Sequence, residues 1–446
     1  MADLTLMEKI VSLCKRRGFV FPGSEIYGGL AGIYDYGPLG NELRHNIKQH
    51  FWNTFIAERD DVYGMSAAIL MPERVWEASG HTELFTDPLV ECTLCHERVR
   101  YDNPEAVAAH ESTHKEKIEW SEPGVFNLLV ETHLGASEKS ATKAYLRGEI
   151  TQGVEVNFKN IVDSMHPKIP FGIGQIGKAF RNEITPRDFL FRQREFEQME
   201  LQYYIRPDEA EGKKQFEYWK DFTFNWYQSL GFNKEHLRLR QHASDERAHY
   251  AKDAWDIEYE TPFGWKEVCG IHHRGDWDLR RHQEYSGVSM EYADSETGEK
   301  FLSWNIECSG GVDRAVLFVL LEAYREDDLG GDKRIYLALA PKIAPVKAMV
   351  SPLLKNKPEL VAKAREVRAE LKKVHPAIAW DDNGNIGKRY RRQDEIGTPF
   401  CITIDFDTLG EKPELKDTVT LRHRDTGTQE RLTISQVASR IRSAIE

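Results

Sequence analysis

Long apolar runs are missing from this 446-residue chain. None approaches the roughly 20 residues that a membrane-crossing helix needs, so no membrane span is expected. The opening stretch, MADLTLMEKIVSLCKRRGF, is broken by charges of both signs. It reads as a short amphipathic helix, and as neither a signal nor a transit peptide. Cysteine is scarce, with six in all. Cys14, Cys269, Cys308 and Cys401 stand alone, which excludes a disulfide framework and points to a reducing, cytoplasmic setting. Internal repeats and low-complexity tracts are absent too.

What is present is a globular composition, 40% apolar and 30% charged, with length for two or three domains. The net charge of -12 is unevenly spread. From Gly331 onward there are 22 Lys and Arg against 16 Asp and Glu, leaving 38 against 56 in the remainder. A basic tail domain on an acidic body fits a polyanion held at one end. GPLGNELRHNIKQHFWNTFIAERD reads as a helix starting at Pro38, and VYGMSAAILMP as a strand ending at Pro72. Residues 88–120 read as an insertion. DDLGGDK, with two glycines between a helix and a strand, marks a domain boundary. The division expected is 1–330 and 331–446. Beyond the boundary strands and helices alternate, giving a small α/β domain with a mixed sheet. The larger body reads as α+β with an antiparallel sheet.

Chemistry concentrates in GKAFRNEITPRDFLFRQREFEQMELQYY, residues 177–204. Read as two strands, side chains two apart share a face. Arg181 and Glu183 then point one way, and Arg194, Phe196, Gln198 and Glu200 share a face. ITPRDF, with Pro186 and Asp188, reads as the turn between them. The hairpin presents a guanidinium, a carboxylate and an aromatic ring, the groups that hold a phosphate, a base amine and the flat face of a base. A solvent-exposed, salt-bridged hairpin is the plainer reading. A second stretch, FLSWNIECSGGVDRAVLFVLLEAY, reads as a strand with Ser303, Asn305 and Glu307 on its polar face. Gly310 and Gly311 then make a turn, and a helix begins near Val312. Glu307, Ser309 and Arg314 meet beside a helix N-terminus, where a phosphate is welcome.

The insertion contains CTLCHERVRYDNPEAVAAHESTH. Cys92 and Cys95 are followed by His110 and His114 at the spacing of a Cys2His2 zinc site, structural because four protein ligands leave no open position.

Together the two chemical stretches resemble motifs two and three of the class II aminoacyl-tRNA synthetases, and Pro38 to Pro72 resembles motif one, the dimer element. The blocks SEIYGGLAGIYDYGPLG, PFGIGQIGKAFRNEITPRDFLFRQREFEQME, AHYAKDAWDIEYETPFGWKEVCGI and DKRIYLALAPKIAPVKA closely resemble the homodimeric glycyl-tRNA synthetase family. The resemblance covers nearly all of the chain except 88–120. It implies glycine activation with ATP and Mg2+, transfer to tRNA-Gly, a cytoplasmic homodimer, and neither DNA nor membrane as partner. Arg181 and Arg314 would contact the α- and γ-phosphates. Phe196 would stack on adenine, with Glu183, Phe191, Arg194, Glu267, Val268 and Gly311 around ATP. Glu149, Glu200, Glu307 and Ser309 would line the amino-acid pocket, and Arg274 and Arg100 would face the substrate carboxylate.

The family usually has Arg-Pro-Glu-Thr-Ala-Gln-Gly where residues 147–153 read RGEITQG, with Gly148, Ile150 and Thr151 as departures. A less rigid pocket loop is expected from them. GKRYRRQDEIGTPF resembles the anticodon-binding domain of several class II enzymes, with Lys388, Arg389, Arg391 and Arg392 as phosphate contacts. Two rival readings are a paralogue that adenylates glycine for another acceptor and a non-catalytic binding module. A related synthetase for serine, proline, threonine or histidine fits the quoted blocks less well.

Overall fold

The computed structural model describes residues 4–102, 104–136, 141–243 and 251–446. Met1 to Asp3 of the opening stretch, Asn103 of the insertion, and Ala248, His249 and Tyr250 at the start of one matched block lie outside them.

Seven strands build the central sheet: β1 (Val62–Met65), β2 (Phe171–Phe180), β3 (Glu195–Ile205), β4 (Leu237–Gln241), β5 (Asp253–Thr261), β6 (Gly264–Gly275) and β7 (Trp304–Gly311). Their order across the sheet is β4-β5-β6-β7-β3-β2-β1. β1 runs parallel to β2, and the other neighbours are antiparallel. Alternation sorts the side chains of the inner strands. Met199, Leu201 and Tyr203 of β3 and Ile306 and Cys308 of β7 enter the main core. Glu200, Gln202, Glu307 and Ser309 take the opposite face. Helices covering the core side include α1 (Pro38–Trp52), α2 (Glu209–Ser229) and α3 (Val312–Ala323), and the N-terminal helix Leu6–Arg17 adds Ile10 and Leu13. Leu43, Ile47 and Phe51 of α1, spaced by four, show the stripe that buries such a helix. The polar face is covered as well, which is why Glu200 and Glu307 are buried. No helix among the described residues is long and apolar enough to cross a membrane.

A separate core occupies the C-terminal unit. Its five-stranded sheet places Ala348–Pro352 between Ile378–Trp380 and Phe400–Ile404, both parallel to it, and continues antiparallel through Thr418–His423 and Gln429–Thr433. This is the mixed sheet expected.

Four local expectations are corrected. The connection from β2 to β3 runs from Arg181 to Arg194, so Arg181 and Glu183 lie past the strand end. A 3-10 turn at Phe189–Phe191 lengthens it, with Asp188 and Phe189 at positive φ. Residues 62–72 are not one strand. The chain leaves the sheet after Met65, where the Ala67 amide donates to Gln175 at 2.8 Å, and pairs again at Leu70–Pro72 in another sheet. Gly310 and Gly311 form no turn; they pair with Met199 and Gln198, and α3 follows directly. Gly330 and Gly331, both left-handed, turn an antiparallel ribbon of Tyr324–Leu329 with Asp332–Leu337, so a strand and not a helix precedes them.

Candidate active site

The sheet register assembles a carboxylate pocket. Glu200 lies opposite Ser309, and Gln202 opposite Glu307, which in turn lies opposite His272 of β6. Glu200 accepts from the Ser309 hydroxyl at 2.6 Å, from Gln198 at 3.0 Å and from the Thr151 hydroxyl at 2.7 Å. Glu307 accepts from Arg274 at 3.0 Å and Gln202 at 3.0 Å, and contacts His272 Nδ1 at 2.7 Å. Thr151 also reaches Glu307, at 3.1 Å. The two carboxyls differ. Burial works to raise Glu307, but Arg274 and His272 outweigh it and hold it at about 2. Burial, with Glu307 and Glu149 close by, pushes Glu200 up to about 8.

Glu149 enters from the segment that covers this face. His81 Nε2 lies 3.3 Å away and the Gln152 amide donates at 3.1 Å. Burial is overcome by His81, Arg274 and Gln152, and the carboxyl stands at about 2. The covering segment is firmly anchored, contrary to the looseness expected from its sequence. Arg147 donates to the Lys178 carbonyl at 2.6 Å, Gln175 to that of Ile150 at 2.9 Å, and Arg181 to that of Gly148 at 3.0 Å. Gly148 is tightly enclosed, since a Cβ there would sit 3.1 Å from both Leu129 and Phe85.

Arg274 does not face an open pocket. It is buried beneath the carboxylates, paired bidentately with Asp278 at 2.7 and 2.9 Å and with Glu307. Arg100 sits elsewhere, bound to Asp102 at 2.6 Å and Asp87 at 2.8 Å. Asp87 lies 3.4 Å from Arg192, whose guanidinium holds Glu183 at 2.5 Å. Arg100 therefore joins the phosphate-side loop and not the carboxylate cluster.

Beside the pocket a cleft is lined by Arg181, Phe196, Glu267, Ser309, Gly311 and Arg314, so Ser309 belongs to both. The Arg181 guanidinium lies between the rings of Phe85 and Phe196, at 5.1 and 5.2 Å. Its Nε is tied to Gly148, while its terminal nitrogens make no hydrogen bond among the described residues. Arg314, in the first turn of α3, lies 4.6 Å over Phe191 and 3.1 Å from the Glu267 carboxylate. A register shift in β6 leaves Val268 as the extra residue, which turns Glu267 to the face of Gly270 and His272. Arg194 supports the rim: it donates to the carbonyls of Glu183 at 2.9 Å and Ala31 at 3.1 Å.

In the insertion a small sheet of Thr86–Glu91, Arg98–Arg100 and Gly124–Asn127 carries the cysteines in its first turn. His110 lies in the last turn of the helix Pro104–Glu111 and His114 follows. The ligand atoms of Cys92, Cys95, His110 and His114 all lie within 4.8 Å of one another. Cys95 Sγ is 3.5 Å from His110 Nε2, and Cys92 Sγ is 4.0 Å from His114 Nε2. A tetrahedral ion with bonds of about 2.0–2.3 Å needs ligand separations of about 3.3–3.8 Å. The other nitrogen of His110 lies 3.4 Å from Glu97, as for a metal-bound imidazole oriented from behind. The four residues fit a metal ion.

The basic cluster of the C-terminal unit is divided. Arg389 is buried and donates to Ser351 at 2.7 Å and to the carbonyl of Gly384 at 2.7 Å, so it is withdrawn from any phosphate. Arg392 is held bidentately by Asp381 at 2.8 and 2.9 Å. Arg391 pairs with Asp332 at 3.1 Å, and Lys388 is exposed.

Sequence reasoning missed His81, Thr151, Arg192, Gln202, His272 and Asp278. The parity of Gln202 with Glu200, of Arg192 with Arg194 and of His272 with Arg274 was an available signal, and Thr151 lies two residues from Glu149. His81 reaches the site from a separate segment, and Asp278 from the helix that follows β6.

A model of the tRNA synthetase class II core domain (G, H, P, S and T) matches residues 136–324, and one of the anticodon binding domain matches residues 347–444. A protein named glycine--tRNA ligase from Treponema denticola is 48% identical over 451 residues, 99% of this chain and 97% of that one. One of the same name from Caldanaerobacter subterraneus subsp. tengcongensis is 47% identical over 456 residues, covering 97% and 96%. Another, from Clostridium acetobutylicum, is 45% identical over 473 residues and covers 100% of both chains. With that likeness held along the whole sequence and both domain models matched, the chain belongs to the class II aminoacyl-tRNA synthetase family, among the glycine--tRNA ligases.

Proposed function

We propose that this chain ligates glycine to tRNA-Gly in two steps at one site. In the first step a glycine carboxylate oxygen attacks the α-phosphorus of ATP, the bond to the β-phosphate oxygen breaks, and pyrophosphate leaves. In the second a ribose hydroxyl at the tRNA 3′ end attacks the glycyl carbonyl and AMP leaves. Neither step needs a nucleophilic side chain; both need alignment and charge neutralisation. Arg181 supplies that at the α-phosphate, because its terminal nitrogens are unengaged among the described residues and its position is fixed by Gly148 and two rings. Arg314 serves the γ-phosphate. Adenine stacks on Phe196, and the Glu183 oxygen not taken by Arg192 accepts from its amine. Mg2+, when bound beside Glu267, adds further charge neutralisation on the phosphates.

The observation that carries the reading is the cluster of Glu149, Glu200 and Glu307, joined through the Ser309–Glu200 hydrogen bond to the cleft that Ser309 lines with Arg181 and Arg314. Carboxylates suit an ammonium group. No amino acid is smaller than glycine, so steric exclusion alone rejects larger ones. ATP–pyrophosphate exchange with a panel of amino acids tests this. Glycine should support exchange, and alanine and serine should be at least ~10²-fold poorer. Equal exchange with alanine removes the assignment.

The same reading makes residues 1–330 the catalytic unit and 331–446 the anticodon-binding unit. Lys388 and Arg391 are the phosphate contacts left by the burial of Arg389. Zinc is the ion of the insertion and its role is structural. The chain acts in the cytoplasm as a homodimer through the Pro38–Pro72 element. Free buried thiols at Cys14, Cys269, Cys308 and Cys401 suit that compartment.

A further inference from the structure

One contact in the pocket does not balance with the protons that fixed groups supply. The Thr151 hydroxyl lies 2.7 Å from Glu200 Oε2 and 3.1 Å from Glu307 Oε2. A hydroxyl has one proton, and an ionised carboxylate has none to give. Both contacts are hydrogen bonds only if one of the two carboxyls carries a proton. Gln202 does not supply it. Its amide also spans the pair, at 3.3 Å from Glu200 and 3.0 Å from Glu307, but with two hydrogens it serves both without a deficit. Its orientation is set by Asn305, which donates to its carbonyl oxygen at 2.7 Å.

We propose that Thr151 is a positioning residue of the amino-acid pocket: its hydroxyl joins Glu200 to Glu307 through one shared proton, so the pair presents a single negative charge to the substrate ammonium. The inference rests on the reading of this pocket as the glycine site. Geometry places the proton on Glu200. Glu307 has a guanidinium at 3.0 Å and an imidazole at 2.7 Å, both of which favour its ionised form. Glu200 receives only neutral donors, from Thr151, Ser309, Gln198 and Gln202. The Glu200 proton points to the Thr151 oxygen, and the Thr151 proton to Glu307. The high value for Glu200 and the low one for Glu307 agree with this order. The charged groups around the pair are Glu149 and Arg147 from the covering segment, Glu155 behind it, His272 and Arg274 from β6, and Asp278 from the following helix. The pocket is buried, with Thr151 at 1% exposure, so bulk water does not replace the bridge. The bridge falls on one of the positions where this chain departs from the family's usual sequence.

The test is the pH dependence of the glycine KM in ATP–pyrophosphate exchange for wild type, Thr151→Val and Thr151→Ser. In this order the Thr151 oxygen accepts the Glu200 proton, so the hydroxyl favours the singly protonated pair, and its loss moves the ionisation of the pair downward by about one pH unit. Thr151→Val should therefore move the break in the glycine KM profile downward by about one pH unit, with the ATP KM unchanged. Thr151→Ser keeps the hydroxyl and should keep the wild-type profile. Thr151→Ala should behave as Thr151→Val and serves if that variant does not fold. A valine or alanine variant with the wild-type profile overturns the inference alone, as does a serine variant shifted like valine. Absence of glycine-dependent exchange in wild type overturns the reading of the site, and this inference with it.

Discussion

Arg181 and Arg314 share a cleft but differ in what holds them. Arg314 is paired with Glu267, whereas the terminal nitrogens of Arg181 have no partner among the described residues. A phosphate bound there, as proposed, would have no protein carboxylate to displace from Arg181. Arg181→Ala should lower glycine-dependent exchange by on the order of 10²-fold or more. Arg181→Lys should recover little of it, since a lysine has no planar fork to lie between two rings. Near-wild-type exchange by Arg181→Ala would place the α-phosphate elsewhere. At this scale the sequence was readable where period two holds. Glu200, Glu307 and Ser309 follow from alternation along β3 and β7. Glu267 does not, because the extra residue at Val268 reverses the parity of β6. Arg274 was misplaced for another reason. Spacing cannot show that Asp278, one helical turn onward, claims it first.

Among the elements, the insertion is legible in its ligands and illegible in its connections. The Cys-x-x-Cys and His-x-x-x-His spacing identifies four residues that do converge. Nothing in the spacing reveals that the same small sheet carries Asp87, which pairs with both Arg100 and Arg192 and so lies behind Glu183. A metal at the turn between the first two strands would fix the register of both. Cys95→Ser should lose the metal, measured as about one zinc per chain in wild type and less in the variant. Residues 92–114 should then become sensitive to limited proteolysis. Exchange should weaken without being abolished, since Arg181 and the glutamates lie outside the insertion. Zinc lost with an unchanged digestion pattern would separate the metal from the ordering of the segment. The phosphate-side loop was also read too short. Its flanks alternate like strands, but Asp188 and Phe189 adopt positive φ, and Phe191 packs on Phe318 at 6.0 Å instead of pairing across a ladder.

On the scale of the whole molecule, the C-terminal unit has a core of its own, but Leu337, Leu339, Ile343 and Ala344 join the main core, so the chain just past Gly331 still packs on the body. The fold class was readable because strand-helix alternation in the tail differs from the mixed order of the body. The path between the two units was not. Paired glycines look alike in a linker and in a ribbon turn, and only the pairing of Tyr324–Leu329 with Asp332–Leu337 tells them apart. Association is a further property at this scale. Ile26, Tyr27 and Leu30 are 88%, 87% and 68% exposed on the segment leading into α1. Apolar side chains in that position favour a partner surface over water. Light scattering at micromolar concentration should give twice the mass of one chain, and a single-chain mass would exclude the homodimer.

The direct passage from β7 into α3 bears on which changes of length this lineage can inherit. Ser309 belongs to the carboxylate cluster and Arg314 to the neighbouring cleft, and only four residues separate them without a loop. One inserted residue would advance the strand by about 3.3 Å and turn every later side chain to the other face. That displacement is as large as the separation at which reacting atoms must be held. Descendants of this chain can therefore lengthen the Arg181–Arg194 connection, whose backbone is already irregular, far more freely than the five-residue passage from Gly310 to Arg314.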